Sequence, residues 1–272
     1  MGRKPHCPNT STVKPQRGDT FSIFATVVLC PCNGDHPVKS PKDILLHAKT
    51  EKFFRDSGDP VTIRLFSAGG GLNEELFRKK YKKPLTKEVA ELLELTPGFG
   101  LGYSEVHFTE TQMQGYHFLF PDWMELCGDG FGNFWVAEVQ DQTHDWKPIW
   151  FVCHDPPVVV RVADDLAEFI DQVLDVFRKL PTHKDNWFNL SHDCANQVWE
   201  SGGIAPVSAS EARKSADPDI AALANQLPSN GSVIDLRACP KGSGFSWESF
   251  DAYKDAIRKG PLLWGFTNES SS

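Results

Sequence analysis

Between Ser104 and Val162 the chain alternates short β-branched and aromatic runs with turn residues, and nothing else in it restricts the fold as much. The runs are Val106 to Phe108, His117 to Phe120, Phe134 to Val139, Ile149 to Cys153 and Val158 to Val162. Pro121-Asp122, Gly128-Asp129-Gly130, the polar stretch Asp141 to Lys147 and Asp155-Pro156-Pro157 separate them with turn chemistry. Short connections join antiparallel neighbours, so the pattern predicts one antiparallel sheet over Val106 to Val162. A helix follows at once, from Asp165 to Lys179. Asp165 stands three residues ahead of Glu168 as a capping pair, and Leu166, Phe169, Ile170, Val173, Leu174 and Phe177 line one face. Each large side chain on that face gains about 1.5 to 3 kcal/mol by leaving water, so the helix is expected to pack on the sheet, burying Phe169, Ile170, Val173 and Phe177.

The flanking regions read differently. The first 18 residues, with Pro5, Pro8, Pro15 and Gly18, lack an apolar period and read as a loose arm. Phe21 to Leu29 suits a strand closed by Cys30-Pro31-Cys32-Asn33-Gly34, Ser40-Pro41 opens a helix expected to run through Phe54, and Val61 to Phe66 suits another strand. The basic run Arg78-Lys79-Lys80-Tyr81-Lys82-Lys83 reads as a solvated helix face, and Thr86 caps a helix that ends at Thr96-Pro97-Gly98. Beyond Pro181 three helices are expected, near Cys194 to Glu200, Ser210 to Gln226 and Trp247 to Lys259, the last capped by Ser246. The predicted organisation is an α+β core at 85–180, an antiparallel sheet with packed helices, preceded by an N-terminal arm and small α/β decoration at 1–84 and followed by a helical C-terminal extension at 181–272.

Composition removes several function classes. Twenty-eight Lys and Arg against 36 Asp and Glu leave a net charge of −8, which argues against a nucleic-acid binder. The longest apolar run, Phe21 to Cys30, is too short for a membrane span, and Asp19 directly before it with no cleavage site after it argues against export. Seven cysteines in an odd, scattered set read as reduced thiols in a cytoplasmic protein.

The negative charge is concentrated. From Glu110 to Val176 thirteen acids face only Lys147 and Arg161, a net charge of −11, whereas the rest of the chain sums to +3. An acidic surface on a folded scaffold is a candidate docking face for a basic partner. The expected contact residues are Asp122, Glu125, Asp129, Glu138, Asp141, Asp145 and Asp155, with Trp123 and Trp146 as anchors, because turns bring such residues within a partner's reach. Trp135 is expected inside. Turns and helix starts also collect Asp for local reasons, which Asp122, Asp129, Asp155 and Asp165 could each satisfy.

Three stretches carry a resemblance. Gly130-Phe131-Gly132-Asn133-Phe134-Trp135-Val136-Ala137-Glu138, then Pro148-Ile149-Trp150-Phe151-Val152-Cys153-His154-Asp155-Pro156, then Val162-Ala163-Asp164-Asp165-Leu166-Ala167-Glu168-Phe169-Ile170 resemble, in order and spacing, the SUKH superfamily. That superfamily includes killer-toxin-resistance and cell-wall-synthesis regulators of yeast and many bacterial immunity proteins. The resemblance covers about Leu85 to Phe177; the family's usual Leu-Pro-x-Asp-Tyr entry is replaced here by the looser Val89 to Gly98 helix and turn. It implies a compact α+β domain without a catalytic site or cofactor, which binds and neutralises a cognate protein toxin such as a nuclease with a basic cleft. A regulatory scaffold without a toxin partner is the alternative within the same class.

Other chemistry is weaker. Cys30 and Cys32, with His36, His6 and Cys7 nearby, have a one-residue gap that suits zinc poorly, so no metal is expected. Gly128 to Asn133 lacks the Lys and the following helix of a phosphate loop, and the alternating acids of a calcium loop are missing. His192-Asp193-Cys194 and Cys153-His154-Asp155 place thiol, imidazole and carboxylate side by side, but sequence neighbours diverge in direction, leaving a cysteine hydrolase built on Cys194 as the enzymatic alternative.

Overall fold

The computed structural model describes residues 39–55, 57–67, 74–102, 104–108, 116–140, 143–180 and 187–269. The strand expected at Phe21 to Leu29, and Cys30, Cys32 and His36, lie outside these residues. The architecture is mixed α+β, with several antiparallel sheets.

Helix α1 (Pro41–Ala48) starts as its sequence directs, with Ser40 Oγ accepting from the Asp43 amide. It does not reach Phe54. Residues Phe53–Phe54 form a short strand β1 instead, paired with β2 (Pro60–Val61), and Phe53 is fully buried. The strand expected over Val61 to Phe66 is split, because Arg64–Leu65 (β3) pairs elsewhere, with β4 (Gly98–Leu101). Helix α2 (Glu74–Tyr81) matches the reading of the basic run in part: Arg78, Lys79 and Lys82 are exposed, but Tyr81 turns inward and donates to the Trp123 carbonyl at 2.8 Å, and Lys83 is almost buried against Asp122. Helix α3 (Lys87–Leu95) is capped by Thr86 as expected. Strand β5 (Ser104–His107) joins β3 and β4 in a separate three-stranded sheet.

The main sheet has five strands: β6 (Trp123–Gly128), β7 (Phe134–Val139), β8 (Trp146–His154), β9 (Pro157–Ala163) and, at its far edge, β12 (Gly244–Ser246). The predicted sheet is therefore corrected in three places. The first run belongs to the three-stranded sheet, His117 to Phe120 forms a turn with His117 exposed and Phe118, Leu119 and Phe120 buried, and β6 was not foreseen. Helix α4 (Leu166–Lys179) begins at Asp165, whose carboxylate accepts from the Glu168 amide at 2.8 Å, and Phe169, Ile170, Val173 and Phe177 are buried as expected.

Alternation along the strands produces two cores. Trp135, Phe151 and Val160 are cross-strand neighbours facing α4 and α5 (Trp187–Ser201), and the Trp135 and Phe151 rings lie 4.6 Å apart. Val136, Trp150, Val152 and Val159 face the other way, onto Phe120, Phe245, Trp264 and Phe266. Being covered on both sides, the strands read as continuous apolar runs.

The C-terminal region is less helical than expected. Helix α5 contains the first predicted segment, but Ser210 to Gln226 resolves into α6 (Ala209–Ala212) and α7 (Pro218–Ala224), after the short strand β10 (Val207–Ser208). Strands β11 (Gly231–Asp235), β13 (Ile257–Arg258) and β14 (Leu263–Thr267) form a four-stranded sheet with β10. Trp247 to Lys259 is not a helix. Its amides are engaged by other segments, Trp247 N–H by the Pro157 carbonyl and Ala256 N–H by the Phe118 carbonyl, and Phe250 stacks on Phe266 at 4.0 Å. Those tertiary contacts override the local cap signal at Ser246.

Candidate functional site

Antiparallel pairing divides the predicted contact residues between opposite ends of the main sheet. Trp123 pairs with Glu138 and Val139 with Trp146 at one end, whereas Gly128 pairs with Phe134 and His154 with Pro157 at the other. A six-residue strand at about 3.3 Å per residue puts roughly 17–20 Å between those ends, so the eight predicted residues that are described do not form one face.

At the first end the acids have cations. Asp122 pairs with Lys83, and Asp145 meets Lys147 at 2.8 Å. Two expectations of reachability are corrected there. Trp146 is 2% exposed and packs against Phe77, because the side chain at this register points into the core shared with α2. Glu138 is 4% exposed: its Oε2 accepts from Arg258 Nη2 at 3.0 Å and from Trp150 Nε1 at 3.2 Å. Arg258 in turn lies 3.4 Å above the Trp264 ring. Burial lowers the Arg258 pKa, opposed by the charge and hydrogen bond of Glu138. Trp123 is half-buried against the second core, Glu125 is half-buried on β6, and Asp141 lies outside the described residues.

The second end is built around the β6–β7 hairpin. Asp129 Oδ1 accepts from the amides of Phe131 at 2.8 Å and Asn133 at 3.1 Å, an Asx-type turn, while Oδ2 accepts from Asn133 Nδ2 at 2.6 Å and meets His192 Nε2 on α5 at 2.9 Å. Asn133 Oδ1 receives the His154 amide and faces His154 Nδ1, both at 2.9 Å, which ties the hairpin to the β8–β9 turn. Gly130 and Gly132, with φ of 80° and 94°, supply the left-handed backbone this tight path requires. Tyr116 donates its hydroxyl to the Gly132 carbonyl at 3.0 Å, and burial pushes that hydroxyl up to about 12, so it remains a donor. The result is a stiff turn from which Phe131 projects, 80% exposed. Asp155, Asp193 and Glu248 are exposed beside it, the last held near by the Trp247 amide on Pro157. The segments 128–133, 154–157, 191–194 and 246–249 contain no Lys or Arg.

Sequence reasoning omitted Phe131, Asp193 and Glu248. A readable signal did exist for Phe131, since an apolar residue between two turn glycines has no strand face through which to enter a core. The Asp129 to His192 contact spans 63 residues and leaves no local trace.

Burial tends to raise the Asp129 carboxyl, but the bonds from Asn133, the Phe131 amide and His192 outweigh it and hold the pKa below its ordinary value. A lowered carboxylate contributes stability above its unfolded pKa of about 3.9 and loses it as pH falls through the folded value. Asp129→Asn is therefore expected to cost about 1–3 kcal/mol at pH 7 in urea unfolding, with the gap to wild type closing below roughly pH 4. A gap independent of pH would show that the carboxylate charge is immaterial to the turn.

Among the described residues no group of three His, Cys, Asp or Glu side chains is placed to hold a metal, and no helix is long and apolar enough to cross a membrane. Comparison with protein-family models, with curated proteins and with solved structures returned no match.

Proposed function

We propose that the chain is a non-enzymatic, cytoplasmic binding protein of the SUKH type, an immunity protein that neutralises a cognate protein toxin by covering its active site. The observation that carries this reading is the segregation of charge between the ends of the main sheet. Asp122, Glu138 and Asp145 have Lys or Arg partners, whereas the turn end keeps Asp155, Asp193 and Glu248 exposed with no such residue in its four segments. An acidic end whose carboxylates have no Lys or Arg partner among the described residues suits a basic cleft, because complementary potentials accelerate encounter and reject like-charged partners. The resemblance of the hairpin, the following strand and helix α4 to the SUKH pattern supports the toxin-binding role. A regulatory scaffold using the same end is the second reading, favoured by the same charges. The hydrolase alternative gains nothing from Cys194, whose thiol is pushed up by burial and by Asp193, against the depression a nucleophile needs.

The test uses the product of the gene adjacent to this chain's own, since immunity proteins are commonly encoded beside their toxins. The triple variant Asp155→Lys, Asp193→Lys, Glu248→Lys is expected to stay folded and to associate with that protein at least tenfold more slowly at low salt. Added salt should slow the wild type toward the same rate. A folded triple variant with unchanged association kinetics, or an adjacent product that does not bind at all, would remove the reading.

A further inference from the structure

We propose that Phe131 is the anchor of the docking surface, and that its occupant is a protein face bearing an apolar pocket rimmed by Lys and Arg. The proposal rests on the binding-protein reading above and specifies its partner chemistry. Phe131 is 80% exposed; Tyr253, at 98%, and Trp199, at 40%, are the other exposed aromatic side chains among the described residues. Its backbone is nonetheless fixed on both sides, by Asp129 accepting from its amide and by Tyr116 donating to the Gly132 carbonyl. With the backbone already fixed, docking has only the two side-chain torsions of Phe131 left to order, so much of its apolar burial is available as affinity.

The ground around it is also partly apolar. Tyr116 makes edge contacts with Phe134 at 6.1 Å and with Trp247 at 5.8 Å, and both of these rings, with Pro156 and Pro157, are half-buried rather than covered. An aromatic centre with a polar margin has the anatomy of a protein interface. The margin is acidic, through Asp155, Asp193 and Glu248. That sign repels nucleic acid and anionic lipid, and it complements a pocket whose rim is basic.

The experiment places a photo-crosslinker in the full chain, Phe131→p-benzoylphenylalanine, with Tyr253→p-benzoylphenylalanine as the control, since Tyr253 is 98% exposed on a different loop. After irradiation in the host cell, the expected product is one discrete protein adduct at 131 and none at 253, with the linked residue mapped to an apolar position flanked by Lys or Arg. With that purified partner, Phe131→Ala should raise Kd by at least about 30-fold, chiefly through faster dissociation, with an unchanged melting curve, and Phe131→Leu should recover part of the loss. No protein adduct at 131, an equal adduct at 253, a nucleic-acid or lipid adduct, or an unaltered Kd for Phe131→Ala would overturn the proposal. The two readings fail separately. If the triple charge variant slows association while Phe131→Ala binds normally, the binding reading stands without this anchor. If Phe131→Ala weakens binding to a partner that is not a toxin, the anchor stands and the immunity assignment falls.

Discussion

A chain ending at Leu180 is expected not to fold cooperatively. Truncation there removes β12, which pairs Gly244 to Ser246 with Val160 to Val158, and the layer of Phe245, Trp264 and Phe266 that covers Val136, Trp150, Val152 and Val159. It also removes Ser191, which accepts from Trp135 Nε1 at 3.1 Å, together with the α5 residues Ala195 and Val198 on the other face. Each large apolar side chain returned to water costs about 1.5 to 3 kcal/mol, and several are returned at once against a total stability of about 5–15 kcal/mol. The measurable outcome is a fragment that lacks a sharp melting transition, loses its near-ultraviolet dichroism and binds a hydrophobic dye. A fragment with a single sharp transition would show instead that residues 181–269 are dispensable for the main sheet.

Glu138→Ala is expected to destabilise the full chain by about 3–5 kcal/mol, the usual cost of leaving one member of a buried ion pair alone. Arg258 would then be stranded among Phe120 and Trp264 with only the carbonyls of Leu119 and Pro261 to receive it. The double variant Glu138→Leu, Arg258→Met should recover most of the loss, because replacing both partners with apolar groups of similar volume is often close to neutral. Urea unfolding of the wild type and these two variants measures this. If Glu138→Ala left stability within about 0.5 kcal/mol and weakened partner binding alone, the side chain would have to reach solvent, contrary to its position between the sheet and β13.

What could be read in advance followed the range of the forces involved. Helix α4, its cap and its buried face were legible because capping and 3.6-residue periodicity are local, as was the cap on α3. Strands β7, β8 and β9 were legible from β-branched and aromatic content. The charge map was a sound sum but a poor map of a face: sequence cannot reveal that antiparallel pairing sends Asp122 and Asp129 to opposite ends of one strand. Nor could it reveal that Glu138 would meet Arg258 from 120 residues away. The C-terminal misreading has a related cause. Trp247 to Lys259 carries a helix-like cap, yet contacts with Pro157, Phe118 and Phe266 decide its path. One clue was available and unused: strands without polar alternation demand cover on both faces, and α4 alone covers one.

That double cover has a consequence for how the chain recognises its own correct alignment. Sliding one central strand by a single residue exchanges its two faces, which in a half-solvated sheet would thrust polar groups into the interior and apolar groups into water. Here Trp135 and Phe151 would change places with neighbours that are themselves Val136, Trp150 and Val152, so oiliness alone discriminates weakly between the right and wrong registers. The discrimination falls to the few groups that are not interchangeable. Glu138 finds Arg258 and the Trp150 indole only in one alignment, Trp135 finds Ser191 only in one, and the ladder irregularity between Ala137 and Val139 opposite Pro148, which has no amide to offer, fits only one. In this protein the buried polar contacts serve as an address system: apolar mass makes the sheet stable, and a handful of hydrogen bonds decides which sheet it is.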